Sequence, residues 1–432
     1  NIFLPRIDQR GNLTGITGME FPLFNYILAL IYTISGKIIP FYGKILSLIC
    51  ALSSVYIIYK IIVLDDLNKT IPISPISILI CAISSSYFFY FSVIIMPEFL
   101  ALFLSLSGFY TFIKYTKLKQ NKYLFFSCIF FSLGMLVRPY TAFFGVSMLI
   151  YCLSQIKILN NKNNKNNKEF FKISCCGALT LTPFIFWYAY WTPHLNNTYG
   201  IHYFFMGKPI TQNIKSISNL NFITQLIGLL NNFYSYPIII NLLALTGLII
   251  LLIKYKFNKK ILFSPIFQLL LSAILAIIII PLLIGSGLVT AWKYYLSSIF
   301  PIIIILPSIT ISICLKKTSI ISKKQNILKN IAISIILFLT ILPLFIAHSN
   351  NIQNPKYPLP KWNNIQTLIL NKNNLLKNVK PNDLIVTSVK HTSSPLFLYL
   401  LDKKGWTLSL PANNIQQLKI LQPLVKKGAK FY

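Results

Sequence analysis

The sequence is short of carboxylates. Of 432 residues, eight are Asp or Glu and forty are Lys or Arg, for a net charge of +32. A water-soluble domain of this size would carry far more charge of both signs, so that class is excluded. The signatures of common soluble enzymes are missing too, since the chain contains no GxSxG, HExxH or P-loop. Seven cysteines (Cys50, Cys81, Cys128, Cys152, Cys175, Cys176 and Cys314) all fall inside apolar runs. That placement leaves no disulfide framework and no CxxC metal site. The positive charge is not a nucleic-acid footprint, because no basic face with interleaved aromatics occurs on a soluble element.

Hydrophobic residues make up 55% of the chain. They are grouped in runs of about 20, the length that crosses a bilayer core. We read spans at 41–63, 73–91, 97–113, 123–138, 140–156, 173–190, 236–253, 261–284, 292–314 and 328–347. Lysine is concentrated in four connections: Lys114 to Lys122, Lys157 to Lys172, Lys254 to Lys260, and Lys316 to Lys324. The second holds the low-complexity tract NNKNNKNNK, which reads as flexible. Putting all four in the cytoplasm satisfies the positive-inside rule with every span used once.

This topology fixes the other connections. The turns at Met96-Pro97-Glu98 and Arg138-Pro139 lie outside, as do 191–222, 285–291 and the region beyond about 348. Residues 1–40 are also outside, and we expect at least one further span before Asn1. The apolar stretch 21–35 is short for a span and reads as a helix lying in the outer interface. The expected architecture is an α-helical polytopic membrane protein with about ten spans and that interfacial helix. Its domains would be 1–40, an outer loop with the interfacial helix; 41–347, the transmembrane domain; and 348–432, a soluble, incomplete α/β extracytoplasmic domain. In the last, PNDLIVTS reads as turn and strand, and LQPLVKKGAKFY as a helix ending at Gly428 followed by a strand.

Asp65, Asp66 and Glu169 fall on the cytoplasmic side of this scheme, and Asp383 and Asp402 in the tail. Asp8, Glu20 and Glu98 remain near the outer face, where a carboxylate must be hydrated, paired or metal-bound. Glu98 either sits on a helix N-terminus for the dipole or does chemistry. The same choice holds for Glu20, at the start of the interfacial helix. Arg138, between two apolar helices, either snorkels to headgroups or grips a phosphate bidentately. Trp292, Tyr294 and Tyr295 could form an aromatic belt, but Lys293 among them suggests a second phosphate ligand. His194 and His202 lie in a long outer loop, and one of them near Glu20 would make a divalent-metal pair.

These polar groups share one face, and the span interiors hold almost none. Transporters place ionisable groups mid-span near broken helices. The layout therefore favours an enzyme acting at headgroup level on a lipid-linked phosphate. The alternatives are a transporter or flippase of lipid-linked sugars, or a non-catalytic envelope-assembly protein.

The segments GMEFPLFNYILA, MPEFLALF, LGMLVRP, WKYYLSSIFP and LYLLDKKGW…KKGAKFY resemble those of the GT-C fold glycosyltransferases. The nearest groups are the bacterial relatives of protein O-mannosyltransferases and the aminoarabinose transferases. The resemblance implies a hexosyl- or pentosyl-transferase of the plasma membrane. It would move a sugar, with inversion, from a polyprenyl-phosphate donor to a lipid, glycan or protein acceptor on the periplasmic face. It implies that Glu98 is the second of two acidic motifs, and that the first catalytic Asp lies upstream of NIFLPRIDQRG, Asp8 not replacing it. It places Arg138, Lys293 and Tyr295 at the donor phosphate, and Glu20 with His202 at a divalent metal.

Overall fold

The structure, a computed structural model, describes residues 3–5, 16, 18–65, 73–159, 164–199, 237–255, 264–284, 297–318, 370–380, 383–388, 398, 401, 403, 405–408, 414–426 and 428–431. The chain divides into two compact units: Asn1–Met19, Ala189–Gly207 and Ser349–Tyr432 form one, and Glu20–Tyr188 with Lys208–His348 form the other.

The larger unit is built of helices around one apolar core. Helix α1 (Leu23–Ser35) has 13 residues, about 20 Å at 1.5 Å per residue, too short to cross a hydrocarbon core of about 30 Å. It buries Phe24 and Leu28 in the core and exposes Tyr26, Leu30 and Ile34. Helix α2 (Pro40–Leu64) follows. The stretch expected as one span at 73–91 is two helices, α3 (Pro75–Ser84) and α4 (Ser86–Phe91). The break falls in the serine run 84–86, where the Ser85 hydroxyl accepts from the Phe88 N–H at 3.4 Å and restarts the helix.

Helices α5 (Glu98–Leu118) and α6 (Asn121–Val137) form the hairpin on which the rest of the unit depends. Lys119, at φ 55°, ends α5 in the left-handed conformation, and two residues suffice for the turn. The helices touch closely because their interface is small. A Cβ on Gly134 would lie 2.1 Å from the Ser105 hydroxyl, and one on Gly108 would lie 2.9 Å from the Phe131 ring. The Ser127 hydroxyl uses that approach to donate to the Gly108 carbonyl at 2.9 Å. Small residues and interhelical hydrogen bonds are what hold helices together where lipid removes the hydrophobic contrast.

Pro139 ends α6. The residue before a proline is pushed from helical to extended backbone, and Arg138 sits at φ −145°, ψ 110°. The chain then makes a 3-10 turn (Pro139–Gly145) before α7 (Val146–Leu159). Helix α8 (Asn164–Ile185) begins inside the asparagine-lysine tract, so that connection is shorter than the sequence suggests. A π-helical turn (Phe186–Trp191) three residues after Pro183 leads along the chain into α9 (Thr192–Tyr199), which belongs to the other unit. Helices α10 (Pro237–Tyr255), α11 (Pro265–Ile284) and α12 (Phe300–Thr318) complete the larger unit. The expected span 328–347 lies outside the described residues. Among the described residues, Pro40–Leu64, Glu98–Leu118 and Asn167–Tyr199 are long and apolar enough to cross a membrane, and seven shorter apolar helices accompany them.

In the other unit, the tail forms a parallel sheet with strand order β2-β1-β3 from β1 (Leu384–Ser388), β2 (Gly405–Leu408) and β3 (Ala429–Phe431). A short helix α13 (Lys372–Leu375) precedes it, and α14 (Asn414–Val425) connects β2 to β3. Alternate residues of β1 serve opposite faces. Val386 packs with Trp406, Leu424 and Ala429, while Ile385 packs with Leu398 and Leu401. Strand β1 falls within PNDLIVTS, and the helix and strand read at the end of the chain are α14, which ends at Val425, and β3.

Candidate functional site

The hairpin determines where its polar ends meet. Because α5 and α6 run antiparallel, the first residue of α5 and the residue just past α6 share one end. Those residues are Glu98 and Arg138. Arg138 Nη2 donates to Glu98 Oε1 at 2.5 Å. Its other terminal nitrogen, Nη1, donates to Glu20 Oε1. One guanidinium fork thus serves two carboxylates, the planar geometry that arginine offers and lysine does not.

Burial differs along the cluster. The Glu98 side chain is 1% exposed and that of Arg138 9%, while that of Glu20 is 19% exposed. Glu98 Oε2 is buried and makes no hydrogen bond among the described residues. Glu98 does not cap its own helix, whose N-cap, Pro97, has no side-chain bond. With all three groups ionised, the cluster carries one excess negative charge, which a buried site must balance with a proton or a further cation.

Glu20 is held in reach by its neighbours. The Leu136 carbonyl, one residue before the end of α6, accepts from the Phe21 N–H at 3.3 Å and from the Tyr188 hydroxyl at 2.7 Å. The Phe21 and Trp187 rings meet edge to face at 4.9 Å. Phe99, the residue after Glu98, meets Phe88 and Phe300 edge to face, and Phe88 and Phe300 stack at 6.0 Å. Tyr87 and Tyr140 are buried near enough to feel the charges of both Glu98 and Arg138. The Ser298 hydroxyl fixes the 3-10 turn by donating to the Tyr140 carbonyl at 2.6 Å.

Sequence reasoning missed Tyr87, Tyr140 and Tyr188. Tyr140 had a signal, two residues after Arg138. The others look like core or belt aromatics in a chain with 24 tyrosines. Lys293, Tyr295, His202 and Asp8 lie outside the described residues, as does Asp66. Among the described residues no three His, Cys, Asp or Glu side chains converge. Glu20 is committed to Arg138, so a divalent metal shared by Glu20 and His202 would compete with a guanidinium for that carboxylate.

The other described carboxylates of the larger unit sit at the opposite end of the hairpin and have structural partners. Asp65 accepts from the Ser264 hydroxyl at 2.6 Å and the Ile266 N–H at 3.1 Å, capping α11. Glu169 pairs with Lys119 and accepts from the Tyr151 hydroxyl at 3.1 Å.

The described fold is mostly helical with several apolar helices long enough to cross a membrane, carries the Glu20–Arg138–Glu98 ion cluster at one end of its central hairpin, and bears a resemblance to the GT-C glycosyltransferases over part of its length. Residues 20–187 match the family model described as dolichyl-phosphate-mannose-protein mannosyltransferase. The match begins on Glu20 and contains Glu98 and Arg138. No curated protein sequence matches the chain.

Proposed function

We propose that the protein transfers a sugar from a polyprenyl-phosphate donor to an acceptor hydroxyl at the Glu20–Arg138–Glu98 cluster, on the extracytoplasmic side of the plasma membrane. The observation that carries this is the guanidinium of Arg138 shared between two carboxylates, one sealed in and one at the rim. A donor phosphate needs a cation to receive it, and Arg138 becomes available when Glu20 is displaced. Glu20 is the carboxylate that yields, because it is the more exposed and stands on a non-helical segment.

With phosphate on Arg138, Glu98 keeps its bond to Nη2 and presents Oε2. The acceptor oxygen attacks the anomeric carbon. The bond from that carbon to the phosphate oxygen breaks, and its electron pair leaves with the polyprenyl phosphate. The acceptor proton passes to Glu98 Oε2. Arg138 stabilises the phosphate as its charge develops, which is where preorganised cations contribute most. Lys293 and Tyr295, by resemblance, join it there. The positive-inside distribution of lysine supports the sidedness, since Lys119 lies at the other end of the hairpin.

The test is transfer of labelled sugar from a polyprenyl-phosphate donor by the full-length protein reconstituted in lipid. Arg138→Ala is expected to abolish transfer and Glu98→Gln to cut it by about 10²-fold or more, each measured at a temperature where the variant is folded. Transfer at the wild-type rate in both variants would refute the assignment. Loss of lipid-linked sugar translocation, with no sugar transfer by the wild type, would favour a flippase.

A further inference from the structure

A groove of about 410 Å³ runs between α6 and α8, on the lysine-rich side of the hairpin. Its walls are Leu124, Phe125, Ile129 and Leu133 of α6 and Leu179 of α8. It stays open because the residues facing across it are small, Cys128 and Ser132 against Cys176 and Thr180. The polar groups along its length are turned to the backbone. The Thr180 hydroxyl donates to the Cys176 carbonyl at 2.7 Å, and the Cys128 thiol to the same carbonyl at 3.6 Å. The interior is therefore apolar. Its mouth is not: Lys172 is half-buried there and donates to Asn121.

We propose that this groove seats one acyl chain of an anionic phospholipid, with the headgroup phosphate on Lys172. From Asn121 to Leu133 the groove follows thirteen residues of α6, about 18 Å, slightly more than one leaflet of a hydrocarbon core about 30 Å thick. Its polar end lies at the start of α6 and Arg138 lies past the other end, so the headgroup occupies the leaflet opposite the sugar donor. Charge selects the headgroup. Lys122, next to Lys172's partner Asn121, and Lys168, one turn before Lys172 on α8, are both exposed. The nearby carboxylate Glu169 is already paired with Lys119. Basic positions between helices on the cytoplasmic side are where acidic headgroups bind. A zwitterionic lipid would bring a choline cation against these lysines.

The test is native mass spectrometry of the full chain released from nanodiscs made of equal parts phosphatidylglycerol and phosphatidylcholine. The wild type is expected to retain one phosphatidylglycerol in preference to phosphatidylcholine by roughly tenfold. Lys172→Glu should remove the preference, and Cys128→Trp, which fills the groove, should remove the retained lipid of either kind. Arg138→Ala should retain phosphatidylglycerol as the wild type does, which keeps this site independent of the transfer reaction. If Cys128→Trp does not fold, as judged by size-exclusion in detergent, Ser132→Phe replaces it. The proposal is overturned if the wild type retains both lipids equally, if either groove variant or Lys172→Glu behaves as wild type, or if Arg138→Ala loses the lipid.

Discussion

Glu98 Oε1 and Arg138 Nη2 lie 2.5 Å apart across 40 residues of sequence. Their meeting follows from the two-residue turn after Lys119, which returns the chain antiparallel, and from the glycines that let α5 and α6 touch. Each end of the hairpin thereby acquires its own chemistry.

Glu98→Gln should reduce sugar transfer by about 10²- to 10⁴-fold, the usual contribution of a positioned general base. The amide can still accept from Arg138, so the protein should stay folded. Initial rates on the reconstituted protein, with thermal unfolding as control, check both halves.

Arg138→Ala leaves Glu98 buried without its cation. Breaking a buried pair in this way costs about 3–5 kcal/mol, so a clear fall in thermal stability should accompany the loss of transfer. Arg138→Lys restores the charge but cannot reach two carboxylates with one planar fork. It should recover part of the stability and little of the activity.

Glu20→Gln should behave unlike Glu98→Gln. If donor phosphate displaces Glu20, weakening that pair leaves Arg138 more available, and KM for the donor should fall or hold. A donor KM raised about tenfold or more, roughly 1.4 kcal/mol, would mean that Glu20 helps bind the donor.

Gly134→Val should force the hairpin apart, because even a Cβ there meets the Ser105 hydroxyl at 2.1 Å. Overpacking of this kind costs about 1–3 kcal/mol. Since the strain is transmitted to the Glu98–Arg138 distance, transfer should drop more than unfolding alone explains, measured at a temperature where the variant is folded.

In the tail, Lys430 hydrogen-bonds Asp383 and holds its carboxyl below the ordinary aspartate range. A carboxyl depressed by folding stabilises the fold above its unfolded pKa, about 3.9, and loses that contribution as pH falls through the folded value. The protection of a peptide covering β1, its exchange rate taken relative to the intrinsic rate at each pH, should therefore fall below about pH 4. Asp383→Asn should flatten the response.

Much of this was legible beforehand. The apolar runs of about 20 residues and the lysine-rich turns gave the hairpin, and put Glu98 and Arg138 on one face, because charge in a membrane chain is too costly to scatter. The short helix at 23–35 could be read from its length alone. What could not be read was local competition between hydroxyls and the helix ladder, which breaks the chain at Ser85. Nor did the sequence reveal that Glu20 would be spent on Arg138, since pairing depends on Phe21 and Tyr188 sharing the Leu136 carbonyl. Tyrosines that serve charge are indistinguishable, in one sequence, from tyrosines that serve packing.

The turn at Lys119 has a further implication for how such a chain can change. Each residue in a helix advances the azimuth by about 100°, so inserting a single one within α5 or α6 would swing Glu98 or Arg138 away from its mate while leaving hydropathy untouched. Outside the hairpin, drift in loop length is harmless to the pair. Within it, counting is part of the chemistry, and indels should be far rarer there than substitutions.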